Sequence, residues 1–210
     1  MSSKSDVKVI GLTGQTGAGK TTVCKAFAER GYAIIDADAI SREVTNTDPD
    51  CLAELVEVFS DTILDEHGAL NRKRLRDIAF QSECKLSLLT DITYPYITAR
   101  ILDSINALSG QGLVLVLLDA PTLFESRADD FCELVISVTS SREMRMRRIM
   151  ARDGLTEEQA RSRMAAQHDD SFYTSRSDYV IENDGDLVLL ETTAREVSDR
   201  IWEYCHDREK

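Results

Sequence analysis

Residues 7–22 read VKVIGLTGQTGAGKTT, an apolar run that passes into Gly14-Gln15-Thr16-Gly17-Ala18-Gly19-Lys20-Thr21, the pattern GxxxxGKT. Glycines 14, 17 and 19 let the backbone take positive φ and bring successive N–H groups against phosphate oxygens with no Cβ in the way. A helix starting near Gly19 adds unpaired N–H groups and the positive end of its dipole. Lys20 is placed to meet the β- and γ-phosphates, Thr21 offers a hydroxyl to Mg²⁺, and Thr22 faces the α-phosphate side of the same turn. Ala18 completes the nucleotide-binding stretch. The apolar run predicts a strand and TTVCKAFAER predicts an amphipathic helix, so the loop has the flanks that a phosphate-binding P-loop requires. The pattern points to a nucleoside triphosphate, with ATP and Mg²⁺ as the expected donor and cofactor.

Outward from the loop, further apolar runs occur at residues 32–35, 113–118, 134–138 and 179–181. All are short and lack in/out alternation, which is how strands buried on both faces read. With helical patterns between them they predict an α/β fold, a P-loop kinase core with a five-stranded parallel sheet flanked by helices. Residues 187–205 form its last helix, with Leu187, Leu190, Ala194, Val197 and Ile201 on one stripe.

Two stretches depart from the alternation. Residues 51–110 carry only helical patterns and read as an inserted helical domain, with Pro95 at the start of its last helix. Residues 141–172 read as two helices meeting at Asp153-Gly154-Leu155, the second opened by the capping pair Thr156 and Gln159. Seven arginines fall within residues 142–163. Arg145, Arg148 and Arg152 share one helix face, with Met146 and Met150 roughly opposite, which suggests a lid that brings positive charge to a triphosphate. The core is then residues 1–50, 111–140 and 173–210.

Carboxylates supply the remaining chemistry. Asp36 and Asp38 follow the second strand and emerge near the carboxyl edge of the sheet, where ligands bind in such folds. One can accept the proton of an attacking hydroxyl while the other assists the metal, and Asp38 can also cap the helix AISREV. Asp119 ends LVLVLLD, a hydrophobic strand plus Asp in the position that holds Mg²⁺ or its waters. Glu125 is a weaker candidate, and His67, His168 and His206 show no partner pattern.

Composition narrows the setting. Among 210 residues the net charge is −12, which disfavours nucleic acid as a partner because phosphate backbones need a surplus of Lys and Arg. The five cysteines show no metal or disulfide spacing, and no run approaches the ~20 apolar residues of a membrane span. A cytoplasmic protein with no membrane partner, a monomer or weak oligomer acting on a small molecule, is expected.

Taken in order, GLTGQTGAGKTT, IIDADAISREV, LNRKRLRDIAF, ITYPYI, LLDAPTLFES, RRIMARDGLTEEQARSRMAAQ and SDYVIENDGDL make the chain resemble the dephospho-CoA kinase family over nearly its whole length. The resemblance implies transfer of the γ-phosphate of ATP to the ribose 3′-hydroxyl of 3′-dephospho-CoA, the last step of coenzyme A synthesis. It further implies a helical CoA-binding domain and a lid. Asp38 becomes the expected base, Lys20 and the loop the ATP site, Arg148 and Arg152 the lid's contribution to catalysis, and Thr21, Asp36 and Asp119 the metal side. The chain departs from the family pattern at Gln15, Thr16, Ala18 and Thr21 in the loop, at Tyr94 where His usually precedes proline, and at Thr122 in PTLFE. Another small-molecule P-loop kinase, acting on a nucleoside or polyol, shares the loop, the DxD and an arginine lid. A GTPase-type switch fits less well, because no NKxD-like stretch is present.

Overall fold

The computed structural model describes residues 7–110 and 114–207. The MSSKSD start, residues 111–112, residue 113 at the head of the third apolar run and the last three residues lie outside them. Five strands form one sheet in the order β2-β3-β1-β4-β5: β1 (Val7–Gly14), β2 (Ala33–Asp36), β3 (Val114–Asp119), β4 (Leu134–Thr139) and β5 (Tyr179–Glu182). β1 pairs in parallel with β3 and β4, and β4 in parallel with β5. The solid apolar runs follow from this position: Ile10, Leu12, Val116, Leu117 and Ile136 are fully buried, leaving no solvent face on which a polar residue could alternate.

The register sets up one edge. Leu12 lies opposite Asp119 and Gly14 opposite Val138, so β1, β3 and β4 finish together at the P-loop. On one face α1 (Lys20–Arg30) and α9 (Leu187–Asp207) pack together, through Val23, Ala26 and Phe27 from α1 and Leu190, Ala194, Val197 and Ile201 from α9. Leu187 does not join that stripe. It is 60% exposed at the first residue of α9, where the helix has not yet reached the sheet.

α6 (Arg142–Asp153), α7 (Glu157–Ala165) and the short α8 (Asp170–Thr174) follow β4. Gly154 closes α6 with φ of 64°, and Thr156 and Gln159 form a reciprocal capping box that opens α7. Ile149, Ala160 and Met164 are buried between α6 and α7, with Met146, Met150 and Leu155 packed on them. The methionine face is therefore the one α6 turns toward α7.

The chain divides into two compact units, Met1–Ile35 with Leu108–Lys210, and Asp36–Ala107. The division falls at Asp36, not at residue 51, because α2 (Ala37–Thr47) packs on α5 (Glu83–Asn106) within the second unit. α3 (Pro49–Phe59) and α4 (Arg72–Ala79) complete that unit. Its buried apolar residues include Ile40, Val44, Leu55, Ile63, Leu75, Ile101 and Ile105. Asp48, Asn71 and Ser82 cap α3, α4 and α5 with side-chain acceptors. Pro95 does not start a helix; it sits inside the 24-residue α5. Lacking an N–H, it leaves the Asp91 carbonyl without its helical donor, and packing of α2, α3 and α4 along α5 carries the helix through that point. Among the described residues no helix is long and apolar enough to cross a membrane.

Candidate active site

The loop between β1 and α1 is built by three glycines in the left-handed region, Gly14 at φ 139°, Gly17 at 78° and Gly19 at 111°. Packing demands them as well as φ. A Cβ on Gly14 would lie 2.3 Å from the Val138 carbonyl oxygen, one on Gly17 2.9 Å from the Arg145 carbonyl oxygen, and one on Gly19 2.3 Å from Asn183 Nδ2. Gly19 caps α1 with no side-chain acceptor, so the first N–H groups of that helix are left for an anion. Lys20 Nζ donates to the Gly14 carbonyl at 3.1 Å, and Thr21 stands exposed in the first turn.

Residues far along the chain hold the loop's shape. Asn183, just past β5, donates from Nδ2 to the Ala18 carbonyl at 2.7 Å. Arg148 donates to the carbonyl oxygens of Gly17 and Asn183, to Asn183 Oδ1 and to Ser140 Oγ, at 3.1 to 3.3 Å. Asp184 accepts from the Ser141 N–H and from Ser140 Oγ, which holds its carboxyl below the usual range and fixes the start of α6. On the other side Gln15 Nε2 donates to the His168 carbonyl at 2.8 Å, and Gln167 Oε1 accepts from the Thr16 N–H at 2.9 Å. Asn183 and Gln167 were not singled out in the sequence, although both lie in stretches that carry the family resemblance, Gln167 at the end of one and Asn183 within the other.

Three of the five arginines of α6, Arg145, Arg148 and Arg152, stand in three different situations. Arg148 is engaged with the loop backbone as described. Arg152 pairs with Asp153, which also binds Arg163. The Arg152 hydrogen bond, followed by Arg163, pulls the Asp153 carboxyl down to about 2. Arg145 is 5% exposed; its Nε is buried with no hydrogen-bond partner, and its ion-pair partner is Asp170 at 3.6 Å. Burial lowers the Arg145 pKa, against Asp170, which raises it.

Asp119 stands at the end of β3, with Cys24 Sγ donating to its Oδ2 at 3.3 Å. Cys24 is one turn beyond Thr21 on α1, so Asp119 flanks the start of that helix. Glu125 lies 3.8 Å from His168 Nε2, and the His168 ring stacks on Phe172 with centroids 3.7 Å apart. Burial, and then Glu125, pushes the Tyr173 hydroxyl up to about 12.

In the helical unit the α2 cap belongs to Asp36, not Asp38: Asp36 Oδ1 accepts from the Ala39 N–H at 2.8 Å, and its Oδ2 is 3.9 Å from Arg42. Asp38 is exposed in the first turn and has no hydrogen-bond or ion-pair partner among the described residues. A cleft of about 420 Å³ is lined by Arg72, Lys73, Arg76, Phe80, Leu89 and Thr93, among others. Arg72 donates to Thr45 Oγ1 at 3.0 Å, and Phe80 is 65% exposed. Tyr94 is half-buried and Thr122 exposed.

The sequence profile of the family described as dephospho-CoA kinase matches residues 8–188. A dephospho-CoA kinase of Corynebacterium diphtheriae is 40% identical over 194 residues, covering 92% of this chain and 97% of that protein. A solved structure from Thermus thermophilus superposes with a TM-score of 0.78 at 28% identity, over 93% of this chain and 97% of that one. A dephospho-CoA kinase structure from Campylobacter jejuni, at 24% identity over 93% of this chain and 98% of its own, shares the fold with a TM-score of 0.62.

Proposed function

The chain belongs to the dephospho-CoA kinase family, and from that premise we propose that it transfers the γ-phosphoryl group of ATP to the ribose 3′-hydroxyl of 3′-dephospho-CoA, giving coenzyme A and ADP. The observation that carries this reading is the uncapped start of α1, held open by three glycines that cannot be replaced without collision. The loop N–H groups and Lys20 bind the triphosphate, and Arg148 positions the loop by fixing the Gly17 carbonyl. Arg152 must exchange Asp153 for a phosphate to act as a lid residue.

The metal side fits Mg²⁺. Among the described residues no three His, Cys, Asp or Glu side chains form a metal cluster. Mg²⁺ keeps several waters and takes one or two protein oxygens beside the phosphates. Thr21 and Asp119 are those oxygens in our assignment; Asp36, whose Oδ1 caps α2 and whose Oδ2 faces Arg42, is not among them. Held by Thr21 and Asp119, the ion would supply positive charge beside the transferred phosphoryl group.

The unpartnered Asp38 is the base. It takes the proton as the hydroxyl oxygen bonds to the γ-phosphorus, and the bond from that phosphorus to the β-phosphate oxygen breaks with its electrons going to ADP. The basic cleft of α4 and α5, with Phe80 at its mouth, suits the phosphates and adenine of the acceptor; three cations there stand out in a chain of net charge −12.

Purified protein given ATP, Mg²⁺ and dephospho-CoA is expected to produce ADP and coenzyme A in equal amounts. Turnover with a nucleoside or polyol and none with dephospho-CoA would overturn the acceptor assignment.

A further inference from the structure

Arg145 is the buried cation of α6, and its bonding is incomplete. A guanidinium has five N–H donors in a planar fork, and Arg145 is nearly buried, yet its side chain makes no hydrogen bond among the described residues. Asp170 is its ion-pair partner at 3.6 Å, beyond hydrogen-bond length, and that carboxylate is 61% exposed. A buried charge left in this state is costly, because desolvation is only repaid by close, well-aligned acceptors. Arg148, one turn away on the same helix, by contrast donates to four acceptors.

Its position says what the missing acceptor is. The backbone of Arg145 is pressed on the P-loop, since a Cβ on Gly17 would lie 2.9 Å from the Arg145 carbonyl oxygen and 3.2 Å from its Cα. Its side chain lines a cleft of about 290 Å³ with Gln15 of the loop, Arg142 and His168. Gln15 Oε1 there is also buried without a partner, an acceptor able to order a water beside an anion. The carboxylates lining the cleft are Asp170 and Asp169, and Asp169 is engaged in capping α8 through the Phe172 N–H.

We propose that Arg145 is a catalytic residue whose guanidinium binds the terminal phosphate of the nucleoside triphosphate and neutralises charge on the phosphoryl group as it is transferred, leaving Asp170 to do so. The step is the one already balanced: the acceptor oxygen bonds to the γ-phosphorus, the bridging oxygen departs with ADP, and Arg145 changes only its hydrogen-bond partners. This role differs from those of Arg148, which holds the loop, and Arg152, which is paired at the far end of α6. It rests on the kinase reading for the transfer step, but its contact with the terminal phosphate does not depend on which acceptor is used.

The test uses the full chain with Arg145→Met and Arg145→Lys, compared by melting temperature, by affinity for ATP and for ADP without acceptor, and by turnover. Arg145→Met is expected to lower kcat by roughly 10²–10³ and to weaken ATP at least about tenfold more than ADP. Guanidinium ion added to Arg145→Ala is expected to restore part of the lost rate. Should Arg145→Met fail to fold, Arg145→Lys decides: a wild-type melt with kcat reduced at least about tenfold and ADP affinity unchanged supports the proposal. Full activity in a folded Arg145→Lys or Arg145→Met overturns it, as does an equal loss of ATP and ADP affinity. If the wild-type protein binds ATP through Arg145 but gives no coenzyme A, the acceptor reading fails and the Arg145 assignment stands.

Discussion

Two helices begin within this chain in opposite ways. α1 starts at a glycine with no side-chain acceptor, and α2 starts at Asp36, whose carboxylate takes the Ala39 N–H. A helix start presents several N–H groups with no partner inside the helix. Where the protein fills them, the helix is stabilised locally; where it keeps them open with glycines at positive φ, the groups are kept for a ligand. The difference also sorts the two carboxylates of Asp36-Ala37-Asp38, because the cap occupies the first and leaves the second unpartnered.

That contrast breaks first at Asp38. Asp38→Asn is expected to lower kcat on the order of 10²–10⁴ while the fold and ATP affinity hold; steady-state kinetics with dephospho-CoA showing a loss of only a few-fold would remove Asp38 as the base. Next comes Gly19→Ala. The left-handed backbone alone costs about 1–3 kcal/mol, and the new Cβ meets Asn183, so both a lower melting temperature and lost ATP binding are expected by calorimetry. A variant that binds ATP normally would show that the open helix start is not the phosphate site. Asp36→Ala sharpens the other half. Losing the cap should cost about 1 kcal/mol, a melting shift of about 2–4 °C, with ATP affinity unchanged.

The smallest effect is one of pH at the α6–α7 corner. Hydrogen bonds from Arg152 and Arg163 depress Asp153, so its contribution is complete above the ordinary carboxylate pKa and is lost as the pH falls through about 2. A carboxyl NMR titration of Asp153 should give that low midpoint, and an ordinary carboxylate midpoint would mean the corner is not held by these pairs.

What could be read from the sequence follows from distance along the chain. The loop, the buried strands and the Thr156–Gln159 cap are each specified by neighbours within a few residues, and each was legible. The contacts that fix the loop were not: Asn183 reaches Ala18 across 165 positions and Gln167 reaches Thr16 across 151. No local period encodes such pairs. Arg148 and Arg145 look alike on a helical wheel, and only the folded chain shows one with four acceptors and the other lacking them. Pro95 misled for a related reason: its local preference is for a helix start, and the packing along α5 overrides it.

The three glycine collisions have a bearing on modularity. Each faces a different part of the chain: β4 through Val138, α6 through Arg145, and the turn after β5 through Asn183. An eight-residue loop grafted onto another sheet would bring none of those neighbours with it. In this protein the unit of inheritance is therefore the loop together with three distant contact points, and a change at any of them is expected to act as a mutation of the loop itself.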